Sequence, residues 1–245
     1  KVNSDQLDGK LVALEHTTGD VIWSVQAETN DEGFSITSAP LYYDGMVITG
    51  FAGGDRASRG RVKAYDARTG ELVWTFYTIP GPGEFGHDTW PDYNDAWEYG
   101  GAAVWQTPAV DPELGLVYFS TGNPGPDLNG SVRPGDNLFS VSIVAVDAKS
   151  GEYRWHFQQV HHDLWEYGSP NPVILFDAEY EGRMRKGIVE VGKTGFVYIL
   201  DRETGEPLVG IEERPVPQEP RQATSATQPY PIGDPLAPHE VGIEP

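Results

Sequence analysis

Four times along this chain a run of alternating apolar residues ends in a turn closed by Thr-Gly or Ser-Gly. Gly9-Lys10-Leu11-Val12-Ala13-Leu14-Glu15 leads to Thr18-Gly19 and Trp23, and Gly60-Arg61-Val62-Lys63-Ala64-Tyr65-Asp66 leads to Thr69-Gly70 and Trp74. Ser142-Ile143-Val144-Ala145-Val146-Asp147 leads to Ser150-Gly151 and Trp155, and Gly195-Phe196-Val197-Tyr198-Ile199-Leu200-Asp201 leads to Thr204-Gly205, with Val209 in the tryptophan's place. Period-2 alternation followed by Asp-x-x-Thr-Gly reads as strand, tight turn, strand, with Gly free to take positive φ. The turn glycines are spaced 70 − 19 = 51, 151 − 70 = 81 and 205 − 151 = 54 residues apart. A propeller blade repeats every roughly 40–50 residues. The middle interval therefore holds one unit plus an insertion of about thirty residues, visible as the Gly-, Pro-, Trp- and Tyr-rich stretch from Ile79 to Gly101. The expected fold is all-β: a β-propeller of four-stranded blades carrying tryptophan-docking repeats. Accidental repetition in a β-sandwich does not account for a recurring Asp-x-x-Thr-Gly-x-x-x-Trp.

The strands between the repeats are equally legible. Ala39 to Thr49 is a hairpin turning at Asp44-Gly45, Ala109 to Phe119 is another, and Lys186–Val191 pairs with Phe196–Leu200 across Gly192-Lys193-Thr194-Gly195. No long amphipathic helix is present, and no apolar run reaches the length of a membrane span. The expected organisation is about four blades of an incomplete propeller over residues 1–210. Residues 211–245, with eight Pro and no strand-length apolar run, are expected to form an extended or polyproline-like tail or connection. Four blades are the fewest of the ~4–8 range, so the propeller is expected to need more chain. The first residue is Lys rather than Met, and the chain is expected to start inside a longer precursor.

Charge and cysteine content exclude whole classes. Seventeen basic against thirty-seven acidic residues leave a net charge of −20, which argues against nucleic acid or an anionic membrane as partner. With no Cys there is no disulfide, thiolate metal site or Cys nucleophile. The most chemically loaded stretch is His161-His162-Asp163-Leu164-Trp165-Glu166-Tyr167-Gly168. Such residues ligate metals, move protons and stack on flat rings. They also make an ordinary turn packed by Trp165. A zinc hydrolase using His161 and His162 fails on geometry, because neighbours on a strand point to opposite faces and no third His lies near.

The repeats resemble those of the quinoprotein propellers, whose blades carry Ala-x-Asp-x-x-Thr-Gly-x-x-x-Trp docking motifs. Further segments follow that family's order. Thr37-Ser38-Ala39-Pro40 is similar to the segment in which a Thr contacts a carboxylate of pyrroloquinoline quinone. The family places a Ca²⁺-ligating Glu fifteen residues after that Pro, where this chain has Asp55. Trp105, in Gly100-Gly101-Ala102-Ala103-Val104-Trp105, matches the floor on which the quinone stacks, and a wide π face suits a flat ring system. Asn123, in Ser120-Thr121-Gly122-Asn123-Pro124-Gly125-Pro126-Asp127, matches the amide that reaches the metal, and Arg133-Pro134-Gly135-Asp136-Asn137 extends the match. An amide oxygen suits a hard cation. In the opening stretch the family reads His-Asp-x-Trp-Asp, the last Asp being the catalytic base. Here that position is Glu166, while Asp163 matches a structural Asp and is a second candidate base. Lys193 matches the residue that hydrogen-bonds the quinone's reactive carbonyl region. Gly168 stands where lanthanide-using members carry Asp, which favours Ca²⁺ over a lanthanide.

The resemblance runs from about Leu11 to Glu213. It implies an eight-bladed enzyme about twice this length, of which the chain is an internal section. It also implies oxidation of a small alcohol or sugar hydroxyl by pyrroloquinoline quinone and Ca²⁺, with Glu166 both base and metal ligand. The electron acceptor implied is cytochrome c or a quinone, and the location is periplasmic. The Glu213-Arg214-Pro215-Val216-Pro217 stretch leans toward a membrane glucose dehydrogenase branch, and Arg133–Asn137 toward alcohol dehydrogenases. The competing class is a non-catalytic quinoprotein-like propeller serving as a protein-interaction scaffold. It offers no reason for Trp105, Asn123 and Lys193 to stand in register.

Overall fold

The computed structural model describes residues 2–5 and 8–237. Its strands are β1 (Val2–Asp5), β2 (Lys10–Leu14), β3 (Val21–Gln26), β4 (Leu41–Tyr43), β5 (Met46–Gly50), β6 (Arg61–Asp66), β7 (Leu72–Tyr77) and β8 (Ala109–Asp111). They continue as β9 (Leu116–Ser120), β10 (Ser142–Asp147), β11 (Tyr153–Gln158), β12 (Ile174–Tyr180), β13 (Arg183–Val191), β14 (Val197–Asp201), β15 (Ile211–Pro215) and β16 (Thr227–Pro231). The sheets are β1-β2-β3, β4-β5-β6-β7, β8-β9-β10-β11 and β12-β13-β14, followed by the β15-β16 hairpin. Every pairing is antiparallel between chain neighbours. Among the described residues the helical segments are short 3₁₀ turns, and no helix is long and apolar enough to cross a membrane.

The predicted docking is present in three repeats. The Nε1–H groups of Trp23, Trp74 and Trp155 donate to the backbone carbonyls of Ala67, Ala148 and Arg202, at 3.0, 3.1 and 3.2 Å. Each acceptor lies one residue after the Asp of the following repeat. Each ring lies on that repeat's turn glycine. A Cβ on Gly70, Gly151 or Gly205 would stand 2.7–2.9 Å from the Trp23, Trp74 or Trp155 ring. The glycines hold φ of +76°, +71° and +78°, so close approach and left-handed backbone both require Gly. The preceding Asp shapes each turn. Oδ1 of Asp66, Asp147 and Asp201 accepts two successive backbone N–H groups.

Alternation along the inner strands feeds cores on both sides of each sheet. On β10, Val144 and Val146 pack with Ile48, Val62, Trp74 and Phe119 between the second and third sheets. Ile143 and Ala145 pack with Tyr118, Trp155, Ile188 and Leu200 between the third and fourth. Leu11, Trp23, Val47 and Tyr65 fill the space between the first and second.

Two expectations are corrected. The insertion is not confined to Ile79–Gly101. Both the β7–β8 connection (78–108) and the β9–β10 connection (121–141) are longer than their counterparts in the preceding repeat, 27–40 and 51–60. The segment from Ile211 onward, expected to be an extended or polyproline-like tail or connection, instead pairs with itself as the β15–β16 hairpin, and Ile211 and Tyr230 pack against the third–fourth sheet core. Polar contacts hold it where apolar residues are scarce. The Gln228 side chain accepts from His161 N and donates to His161 O at 2.8 and 2.6 Å, as a paired strand would.

Because consecutive strands are antiparallel, their connections alternate between two ends of the sheets. The docking turns share one end. The segments 27–40, 51–60, 78–108, 121–141, 159–173 and 192–196 fall at the other. Backbone hydrogen bonds stitch that rim together: Val104 N to Phe51 O, Ala102 N to Asn123 O, Gly122 N to Ala103 O and Ser169 N to Thr121 O.

Candidate active site

All six residues singled out in the sequence lie on this rim. Asp55, Trp105, Asn123, Glu166 and Lys193 line a single cleft of about 250 Å³, together with Ala52, Gly53, Gly54, Ala103 and Gly122. Thr37 is not among the lining residues. Its hydroxyl donates to the backbone carbonyl of Trp105 at 3.0 Å and so steadies the connection that carries the indole.

Small residues let the cleft form. The Trp105 ring lies so near Gly122 that a Cβ there would be 2.6 Å away. Gly168 meets Asn123 in the same way, its imaginary Cβ 2.9 Å from Asn123 N and 3.3 Å from Asn123 Oδ1. Asn123 Nδ2 donates to Asp127 Oδ1 at 2.7 Å. The Asp55 carboxylate has no cationic or hydrogen-bonding partner among the described residues.

Glu166 sits at the crest of a tight turn with φ +61°, a left-handed conformation that is uncommon for a residue with a Cβ. Asp163 enforces that turn. Buried at 1% exposure, it accepts from Trp165 N and Tyr167 N at 2.9 and 2.7 Å. Burial pushes its carboxyl above the usual range. Lys193 Nζ donates to Glu166 O at 2.9 Å and to Glu166 Oε1 at 3.3 Å.

Arg133 and Asp127, which no motif role marks in the sequence, also belong to this rim. Arg133 is fully buried. It donates to Asn137 Oδ1 and to the backbone carbonyls of Pro126, Asp127 and Asp163, at 2.7–3.3 Å. It thereby ties the Asn123 loop to the Glu166 loop, and burial lowers its guanidinium to about 10. Asp127 is half-buried, and burial together with the negative charges of Asp55 and Glu166 raises its pKa. The only signal for either was their place in the motif of residues 120–137. His161 and His162 point elsewhere. The His161 ring contacts Gln158 Oε1 and Glu213 Oε1, and the His162 ring lies between the Gly135 and Gln222 carbonyls. The histidines therefore anchor the β15–β16 hairpin.

Behind the Lys193 turn lies a buried acid. Gln159 donates to Glu190 Oε2 and accepts from Ser169 Oγ, while Glu190 Oε1 has no hydrogen-bond partner among the described residues. Burial raises this carboxyl from 4.5 to about 7. A carboxyl raised on folding binds more protons in the native state, so its contribution to stability falls as pH rises from 4.5 through 7. The interval corresponds to about 3 kcal/mol. The stability difference between wild type and Glu190→Gln should therefore change by about that amount between pH 4.5 and pH 8. Urea unfolding at the two pH values measures it, and parallel pH profiles would contradict the assignment.

The fold and rim define a class: a section of β-propeller whose inserted connections build one cleft from an indole, an amide and carboxylates. The family described as "PQQ: Glucose/ethanol/alcohol dehydrogenase, beta-propeller domain" matches residues 26–244. The chain belongs to that pyrroloquinoline-quinone dehydrogenase family. It is 40% identical over 222 residues to quinoprotein alcohol dehydrogenase PedH of Pseudomonas putida, covering 84% of this chain and 37% of the relative. Methanol dehydrogenase [cytochrome c] subunit 1 of Methylorubrum extorquens is 36% identical over 82% of this chain and 34% of the relative. The structure of a europium-containing methanol dehydrogenase superposes with a TM-score of 0.79 and 32% identity, covering 94% of this chain and 43% of that one. The chain thus spans about a third of the length of these curated relatives, less than the half implied by the resemblance.

Proposed function

We propose that this chain supplies the quinone- and cation-binding rim of a dehydrogenase that oxidises an alcohol hydroxyl with pyrroloquinoline quinone. The observation that carries the reading is the single cleft shared by Asp55, Trp105, Asn123, Glu166 and Lys193. Its donor chemistry fits. The candidate ligands offer only oxygen atoms, which suits a hard cation such as Ca²⁺. No three His, Cys, Asp or Glu side chains are grouped to hold a metal by themselves among the described residues, which makes the Asn123 amide a needed donor. Trp105 offers the flat surface for the quinone, and Lys193 a donor toward its carbonyl region. When bound, the quinone supplies the two-electron acceptor.

In this reading Glu166 takes the hydroxyl proton, and Lys193 holds its backbone and carboxylate in place. Ca²⁺ is the proposed cation rather than a lanthanide, since Gly168 brings no fourth donor side chain and a Cβ there would press on Asn123. The relatives' names support an alcohol ahead of a sugar as substrate. Cytochrome c or a quinone as acceptor and a periplasmic location complete the reading.

The test is reconstitution of the complete protein with pyrroloquinoline quinone and Ca²⁺. Expected are the quinone's absorbance in the purified protein, quenching of tryptophan fluorescence, and dye-linked oxidation of alcohols. Trp105→Ala should weaken quinone binding by about tenfold or more, as the loss of an aromatic stacking surface does. Wild-type protein that takes up no quinone in the presence of Ca²⁺ would overturn the reading.

A further inference from the structure

We propose that Asp127 is a positioning residue that fixes the Asn123 side-chain amide with its oxygen turned toward the cation position. The inference rests on the function proposed above. An asparagine amide is nearly symmetric in shape, but its ends are chemically opposite: NH₂ donates, the carbonyl oxygen accepts. A hard cation takes only the oxygen. An amide free to turn over would present the wrong end part of the time.

Three observations make Asp127 the group that settles this orientation. Asn123 is 7% exposed, so little water is available to satisfy either end. Its Nδ2 lies 2.7 Å from Asp127 Oδ1. An ionised carboxylate only accepts hydrogen bonds, so this contact selects the NH₂ end. Oδ1 is the end left without that carboxylate; an ideal Cβ on Gly168 would lie 3.3 Å from it, and Asn123 lines the cleft shared with Asp55 and Glu166.

Asp127 is itself held firmly enough to act as a reference point. Arg133, fully buried, donates to the carbonyls of Pro126 and Asp127. The same guanidinium donates to Asp163 O at 2.7 Å, and Asp163 shapes the turn that carries Glu166. One buried cation thus sets the spacing between the loop that aims Asn123 and the loop that presents Glu166. The rise of the Asp127 carboxyl, caused first by burial and then by Asp55 and Glu166, agrees with a carboxylate close to the candidate ligands.

The test uses the complete protein with selectively ¹⁵N-labelled asparagine, and Ca²⁺ alone as the probe. In the apo protein the Asn123 NH₂ resonances should show one proton strongly shifted by its carboxylate bond. Asp127→Ala should abolish that shift and weaken Ca²⁺ binding by about 10–100-fold, the range for removal of a residue that orients a metal ligand. Asp127→Asn retains an oxygen that accepts from Asn123. It should therefore keep Ca²⁺ affinity well above that of Asp127→Ala, and the swapped pair Asn123→Asp with Asp127→Asn should bind Ca²⁺ more tightly than Asp127→Ala. If Asp127→Asn loses as much affinity as Asp127→Ala and the swap restores nothing, Asp127 is a direct ligand and the positioning role is overturned. Wild-type affinity and an unchanged amide signal in Asp127→Ala would overturn it as well. Failure of the wild type to bind Ca²⁺ would remove the function reading and this inference together. A null effect in variants of a protein that does bind Ca²⁺ removes the inference alone.

Discussion

Glu166→Gln should lower alcohol turnover by about 10²–10⁴-fold, the contribution of a positioned general base, while quinone uptake persists. Glutamine keeps the shape of the side chain and an oxygen that accepts from Lys193, now 3.3 Å from Glu166 Oε1. It also keeps a carbonyl oxygen for the cation. What it loses is the ability to take a proton. Glu166→Asp should retain part of the activity, since aspartate is the residue implied at this position by the family resemblance. The competing base, Asp163, is 1% exposed, and both its oxygens are occupied by the N–H groups of Trp165 and Tyr167. Asp163→Asn should therefore act through the turn, lowering stability and quinone binding along with turnover. Steady-state rates of the reconstituted complete protein on a panel of alcohols and aldoses decide between the two. Wild-type turnover in Glu166→Gln would defeat the assignment, and its transfer to Asp163 would follow if Asp163→Asn alone were inactive with quinone binding intact.

Trp74→Ala should cost about 3–5 kcal/mol of stability, the range for deleting a large buried aromatic. The ring is 6% exposed and belongs to the core between the second and third sheets. Its Nε1–H bonds Ala148 O at 3.1 Å, and its face covers Gly151. The loss would be larger than that of Trp74→Phe, which keeps most of the packing and forfeits one hydrogen bond, about 1 kcal/mol. Because the ring joins two sheets, Trp74→Ala should also raise hydrogen exchange in β10 and β11 as well as in β7. Urea unfolding and exchange mapping check both effects. A loss under about 1 kcal/mol, within the range of a surface substitution, would show that the docking contact does not hold the sheets together.

Much of the site was legible because its residues stand in motifs rather than alone. Asp55, Trp105, Asn123, Glu166 and Lys193 were assigned separately from five segments, and the fold brings them to one cleft. Thr37, assigned with them, lies off the cleft lining, its hydroxyl on the Trp105 backbone. Asp127 and Arg133 were visible as letters of a motif but not as parts with roles. Their importance comes from burial and from partners up to thirty residues away, such as Asp163 O. Glu190 carried no sequence signal at all, since an acid on an alternating strand reads as solvent-facing until its neighbours are known.

The sequence by itself determined the strands β2 to β11, β13 and β14 with their hairpin turns, the docking of Trp23, Trp74 and Trp155, and the stacking order of the sheets. These depend on interactions whose period is short and repeated: alternation of 2, Asp-to-Gly turn geometry, and a constant offset from Gly to Trp. Only the tertiary structure decided where the extra residues of the middle interval go, how Lys193 meets Glu166, and that β15 and β16 form. The hairpin illustrates the physical reason. Its anchors are Gln228 on the His161 backbone and Gln222 O beside the His162 ring, single polar contacts between segments some sixty residues apart, which leave no periodic trace in the chain.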